Sequence, residues 1–301
     1  MNALLQTKGV ADRQVETPSG KGSRNENFPV GSFLLSRRLR PHVALFYAFA
    51  RAIDDIADNP DLEPDDKVAR LDGFEKAVTG RIAGVPGFEK AYRLRESLIA
   101  TGVTPQHCVD LVAAFKRDAT KLRYRDWDDL MGYCNLSAAP VGRYLLDLHG
   151  EDRAGYPASD ALCNALQVIN HLQDCADDYR NLDRVYLPLD WMTEMGAAVE
   201  DLARPAAGPA LRRVMDRTLD GVDSLLPLAR ELPRRLESRR LAMESSVIVV
   251  IAERLTGLLR RRDPVAERVE LTPLQFLACA AAGVLRHARR KGAPARYITG
   301  L

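Results

Sequence analysis

Gln167-Val168-Ile169-Asn170-His171-Leu172-Gln173-Asp174-Cys175-Ala176-Asp177-Asp178 carries the reading of this chain. Asn170, Asp174 and Asp178 recur every four residues, and Gln167 lies one turn before Asn170. That spacing sets four oxygen-bearing side chains on one helical stripe, among Val, Ile, Leu and Cys. A solvated helix face normally carries Lys and Glu. Asn and Asp are poorer helix formers, and like charges four apart repel by ~0.2–0.5 kcal/mol. A helix that accepts both penalties inside an apolar stretch has a use for the carboxylates.

A second acidic pentad, Asp54-Asp55-Ile56-Ala57-Asp58, ends the run Ala44-Leu45-Phe46-Tyr47-Ala48-Phe49-Ala50-Arg51-Ala52-Ile53. Tyr47, Arg51, Asp54 or Asp55, and Asp58 share one stripe. Acids at a helix C-terminus oppose the macrodipole, which weakens the reading of a merely solvated end. Hard divalent cations held by oxygen ligands are the natural partner of such pairs. Mg²⁺ takes one or two carboxylates, keeps several waters and accepts substrate phosphate oxygens. Two facing pairs would make a metal-lined mouth for a diphosphate, with Arg51 and Tyr47 placed to grip the same phosphate.

Around these motifs the pattern is helical throughout. The expected helices are 30–58 with a break near Pro41, 63–82, 86–101, 104–119, 126–149 kinked at Pro140, 158–180, 209–231, 233–261 and 271–292. Thr104-Pro105 reads as an N-cap followed by a first-turn proline. Residues 196–209, rich in Gly, Pro and Ala, read as an irregular connection. No alternating strand pattern and no internal repeat is present. The class is all-α, with residues 1–24 a loose polar tail and 25–295 a single domain.

Composition excludes several functions. The 301 residues are 46% hydrophobic and 28% charged, and the net charge of +2 gives no electrostatic case for nucleic acid. The five cysteines, Cys108, Cys134, Cys163, Cys175 and Cys279, show no CxxC spacing; neither a disulfide framework nor a zinc site is expected, and a cytoplasmic setting fits. No secretory h-region opens the chain. The longest apolar run, Leu274–Leu285, is short of the ~20 residues that span a bilayer. Followed by Arg286, His287, Arg289, Arg290 and Lys291, it reads first as a core helix with a basic end suiting its dipole, and second as a monotopic membrane contact. The small-residue run Ser137-Ala138-Ala139-Pro140-Val141-Gly142 serves either close helix packing or space for a ligand. No Gly-rich dinucleotide loop and no Ser/His or Cys/His nucleophile spacing is present.

Taken together, Tyr47-x-x-x-Arg51-x-x-Asp54-x-x-x-Asp58, Tyr133-Cys134-x-x-x-Ala138-x-x-Val141-Gly142, Gln167-x-x-Asn170-x-x-x-Asp174-x-x-x-Asp178 and the segment Arg184-Val185-Tyr186-Leu187-Pro188 resemble the squalene/phytoene synthases, head-to-head prenyl transferases of the all-α isoprenoid synthase fold, a helical bundle around a central cavity. The resemblance covers the chain from about Asn25 to the last helix. It implies a trinuclear Mg²⁺ cluster on Asp54, Asp58, Asn170, Asp174 and Asp178. It also implies diphosphate contacts from Arg51 and Tyr47, and substrate contacts from Tyr133, Gln167 and Asn170.

In the N-terminal segment Asn25-Glu26-Asn27-Phe28-Pro29-Val30, asparagines stand where many relatives carry phosphate-contacting serines, so Asn25 and Asn27 are the substrate-binding candidates there. Gln173 replaces an Arg that many relatives carry before the aspartate. With Ser137–Arg143, this N-terminal signature is similar to the bacterial subgroup of hopanoid biosynthesis that ionises presqualene diphosphate and captures the rearranged cation with water. That subgroup needs no NADPH. Condensation of two farnesyl diphosphates, or phytoene formation, is the alternative; a non-catalytic helical assembly factor is a remote one. Phe28, Phe46, Phe49 and Tyr133 are candidates for stabilising cations through their ring faces, with core packing the default for each. Substrate chain length depends on cavity depth, which motif spacing does not encode.

Overall fold

The computed structural model describes residues 15–16 and 36–291. Thirteen α-helices make up this part: α1 Arg40–Asp58, α2 Pro64–Val78, α3 Glu89–Thr101, α4 Gln106–Asp118, α5 Trp127–Ser137, α6 Ala139–His149, α7 Tyr156–Gln173, α8 Cys175–Leu182, α9 Leu189–Met195, α10 Pro209–Ala229, α11 Leu232–Arg235, α12 Arg239–Leu259 and α13 Pro273–Lys291. Among the described residues the only β-pairing is one isolated parallel bridge between Arg123 and Val185.

The helix boundaries follow local chemistry. Pro41 sits in the first turn of α1, where its fixed φ and missing N–H fit; residues 37–39 before it form a turn, and the expected helical residues 30–35 lie outside the described residues. Gly102, with φ +71°, ends α3, a conformation that favours glycine. The Thr104 hydroxyl then accepts from the Gln106 amide at 3.2 Å, so it serves the helix start as expected, although Pro105 takes the N-cap position and α4 begins one residue later than the sequence suggests.

Three expected helices are each divided in two. The segment 126–149 is α5 and α6, separated at Ala138, whose φ of −117° leaves the helical range. Pro140 is in the first turn of α6, so it starts a helix where a kink was expected. The segment 158–180 is α7 and α8, broken at Asp174 with φ −103° and ψ 4°. Hydrogen bonds from the Asp174 amide to the Asn170 carbonyl (2.9 Å) and from the Asp178 amide to the Asp174 carbonyl (2.8 Å) keep the three side chains in four-residue register across that break. The segment 233–261 divides at Ser238, whose hydroxyl caps α12 by accepting from Leu241. The connection 196–209 is irregular, as expected, apart from a 3₁₀ turn at Val199–Ala203.

α7 is the central element and packs against α5, α6, α10 and α12. Its Ala165, Val168, Ile169 and Leu172 are buried at helical spacing. α1 buries Val43, Phe46, Phe49, Ala52, Ile53 and Ile56 on one face. It is tied to α6 by stacking of Phe46 on Tyr144 (centroids 3.9 Å apart, 8° between planes) and by a hydrogen bond from the Tyr144 hydroxyl to the His42 carbonyl (3.0 Å). Val15 and Glu16 are held on the surface by Arg70, which donates to the Val15 carbonyl at 3.1 Å, and by Lys90, paired with Glu16. The two acidic helices are left facing each other across a chamber.

Candidate active site

The chamber has a volume of about 440 Å³ and is lined by residues of α1, α4, α5, α6, α7, α8, α11 and α12, with Arg184 and Tyr186 of the segment after α8. α1 contributes Tyr47, Arg51, Asp54 and Asp58, one per turn. The opposite wall carries Gln167, Asn170, Asp174 and Asp178 in the same rhythm, with Tyr133 between them on α5. Every motif residue expected at the site and described in the structure lines this one chamber. Asn25, Asn27 and Phe28 lie outside the described residues. Phe49 is not in the lining; it is fully buried and meets Phe74 edge to face at 5.9 Å, a packing role. Phe46 does reach the wall.

The electrostatics of the mouth come from crowding. Arg51 is held by two carboxylates of its own helix, Asp54 and Asp55, each at 2.9 Å. Burial, then the charge of Asp58, hold the Asp54 carboxyl well above its ordinary range against the pull of Arg51. Burial, then Asp174 and Asp58, push Asp178 up to about 8. Burial and the neighbouring carboxylates together outweigh the pull of Arg51 and Arg184 on these two groups. The donors are hard oxygens, as Mg²⁺ prefers. Among the described residues no three His, Cys, Asp or Glu side chains converge on one point. The donors are instead split between two facing walls, which leaves coordination positions for water and phosphate oxygens. The residue set fits divalent cations held jointly with an anionic substrate.

A buried polar network that sequence reading did not assign supports these walls. Arg184, 6% exposed, donates to the Asp58 carboxylate at 2.6 Å and the Ala57 carbonyl at 2.9 Å, tying the end of α1 to the segment after α8. Lys67 donates to the same carbonyl at 2.9 Å. Asp118, at the end of α4, accepts from the Tyr133 hydroxyl at 2.6 Å and from Tyr186 at 3.1 Å. Burial lifts its carboxyl to about 6, with Arg184 and the two phenols opposing. His171 stacks on Tyr186 at 3.6 Å; burial, then Arg184, lower it to about 3, so the ring is neutral. The segment Arg184–Tyr186 was visible as a motif, but the contacts that give it a role span up to 127 residues.

Away from the carboxylates the wall is apolar: Phe46, Val141, Leu145, Leu162, Leu166 and Ile248. Ser137, Ser159, Glu244 and Ser245 interrupt it. The Ser137 hydroxyl is buried and makes no hydrogen bond among the described residues. The small-residue run serves both of its expected purposes. A Cβ on Gly142 would stand 2.3 Å from Ser159 Oγ and 2.7 Å from Cys163 Sγ, so glycine permits the close approach of α6 to α7. Ser137 and Val141 face the chamber. Cys163 also lines it, and burial pushes its thiol up to about 12.

The family model for squalene/phytoene synthase matches residues 22–275. The chain belongs to the squalene/phytoene synthase family. It is 46% identical to the hydroxysqualene synthase of Rhodopseudomonas palustris over 262 residues, covering 87% of this chain and 89% of that protein. It is 44% identical to the hydroxysqualene synthase of Zymomonas mobilis, covering 87% and 90%. The crystal structure of a squalene synthase from Alicyclobacillus acidocaldarius superposes with a TM-score of 0.68 at 33% identity, over 79% of this chain and 89% of that one. The all-α isoprenoid synthase architecture expected from the motifs is thus the fold present, and the protein is an enzyme of the squalene synthase type.

Proposed function

We propose that this enzyme is a hydroxysqualene synthase that ionises presqualene diphosphate, rearranges the cation and captures it with water. The observation that carries this reading is one chamber with an acidic, arginine-bearing mouth and an apolar body, in a chain that resembles hydroxysqualene synthases over most of its length. Asp54, Asp58, Asn170, Asp174 and Asp178 would hold Mg²⁺, which acts when bound as a Lewis acid on the diphosphate oxygens. Arg51 and Tyr47 bind the diphosphate beside it and stabilise the charge that grows as the bond to carbon breaks. Arg184 fixes Asp58, and the Asp118 network fixes Tyr133, so these groups need little rearrangement during the reaction.

The prenyl chains occupy the apolar body, which excludes bulk water. Ser137 offers a buried hydroxyl at its wall with no protein partner among the described residues. Leaving such a group unsatisfied costs about 1–3 kcal/mol, and we assign it to holding the water that attacks. The diphosphate leaves with the electron pair of its C–O bond, the water lone pair forms the new C–O bond, and the water proton goes to the released diphosphate. No redox step occurs, so no nicotinamide is required.

Product analysis by mass spectrometry tests the reading. The purified enzyme with Mg²⁺ and presqualene diphosphate, without NADPH, is expected to give hydroxysqualene. Presqualene diphosphate or a C30 hydrocarbon formed from farnesyl diphosphate would move the function to head-to-head condensation.

A further inference from the structure

α13 buries Cys279 and packs Phe276 and Ala280 against the core but leaves a second apolar face outward. Of nine large apolar side chains exposed among the described residues, four are on α13: Leu274 at 79%, Leu277 at 66%, Leu285 at 54% and Val284 at 38%. Their positions, with Ala278 and Ala281, fall on one continuous helical face. The opposite face is firmly seated. A Cβ on Gly283 would stand 2.5 Å from Val247 Cα, and the Ser246 hydroxyl donates to the Gly283 carbonyl at 2.9 Å. Arg286 is paired with Glu253 of α12 through two bonds of 3.0 and 2.9 Å. The apolar face is therefore presented outward on an anchored helix.

Charge identifies what covers it. From Pro273 to Lys291 the helix contains no Asp or Glu, and its last turns carry Arg286, His287, Arg289, Arg290 and Lys291. A second copy of this helix would bring no acidic partner to that end. A bilayer with anionic headgroups supplies both an apolar phase and negative charge. At ~1.5 Å per residue the 19-residue helix is about 28 Å long, suited to lying in the interface plane. It is not a spanning element, because no helix among the described residues is long and apolar enough to cross a membrane.

We propose that α13 docks the enzyme onto an anionic lipid surface. Leu274, Leu277 and Leu285 enter the boundary between headgroups and acyl chains, and the basic last turns meet the lipid phosphates. The helix face and its charge carry the inference independently of the reaction. Its use, delivery of a water-insoluble alcohol to a membrane, rests on the function proposed above.

The test is flotation of the full chain with vesicles of phosphatidylcholine alone or with phosphatidylglycerol added. The wild type is expected to float with the anionic vesicles and less at high salt. The variant L274E/L277E/L285E, checked for an unchanged circular-dichroism spectrum and melting curve, is expected to bind about tenfold more weakly. Wild-type protein that floats with neither vesicle, or a triple variant that floats like the wild type, overturns the proposal. Light scattering is run alongside: a dimer that the triple variant dissociates, without flotation, gives the face to a second copy and also overturns it. Flotation reads no turnover, so its failure is separate from failure of the product assay.

Discussion

Replacing Arg184 by methionine keeps a side chain of similar length at a nearly inaccessible position and removes only the guanidinium. Two hydrogen bonds disappear, to the Asp58 carboxylate at 2.6 Å and to the Ala57 carbonyl at 2.9 Å. The carbonyl keeps Lys67, so among the hydrogen-bonded partners the damage falls on Asp58, while Asp118 and Asp178 lose a nearby positive charge. Breaking a buried ion pair from one side costs about 3–5 kcal/mol, because the remaining charge stays uncompensated. The Asp58 side chain is 29% exposed, and water recovers part of that loss, so the lower end, about 3 kcal/mol, is expected. Urea unfolding in the presence of EDTA measures it as a lower midpoint at unchanged slope. The double variant Arg184→Met/Asp58→Asn removes the stranded carboxylate and is expected to recover about 1–2 kcal/mol as a coupling energy. An Arg184→Met variant within about 0.5 kcal/mol of wild type, or a double variant with additive losses, would refute the assignment of Arg184 as the tie between the two acidic walls.

Asp178→Asn is expected to stabilise the metal-free enzyme by about 1 kcal/mol in thermal melts at pH 7. Burial and neighbouring carboxylates raise the native pKa of this group, so ionising it opposes folding at any pH above its unfolded value. The same variant, like Asp54→Asn, should lose both turnover and the rise in melting temperature that Mg²⁺ gives the wild type; near-full turnover in either would sink the two-motif model. Ser137→Val should leave diphosphate release from presqualene diphosphate nearly intact while diverting product from the alcohol to hydrocarbons formed by proton loss, with Ser137→Thr restoring the alcohol. An unchanged alcohol fraction in the valine variant would remove Ser137 from water capture. Gly142→Ala should cost about 1–3 kcal/mol through its collision with Ser159 and Cys163, read as a lower melting temperature.

Most of the architecture was legible because its signals are local. Helical periodicity, the Thr104-Pro105 helix start and the four-residue rhythm of the acidic motifs each lie within a few turns of chain. Pro140 was misread for a reason the structure supplies: a proline in a helical pattern marks a kink or a first turn equally well, and only the non-helical Ala138 before it decides. The Asp174 break was hidden because its flanking hydrogen bonds preserve the register that the pattern reports. Asp118, His171 and the role of Arg184 were out of reach, since their partners come from distant helices. The outward apolar face of α13 took second place to a core helix in the sequence, because an amphipathic pattern does not say whether its apolar side meets protein or something else.

The wall thiol at Cys163 bears on how long such an enzyme survives its own chemistry. A carbocation generated in an apolar chamber alkylates whatever electron-rich atom it meets first, and a thiolate is a fast, soft nucleophile. Desolvation keeps this sulfur in its protonated, weakly nucleophilic form at any physiological pH. Burial thereby removes the small thiolate fraction that an ordinary cysteine would present, and lowers the rate at which this sulfur competes with an oxygen nucleophile for the cation.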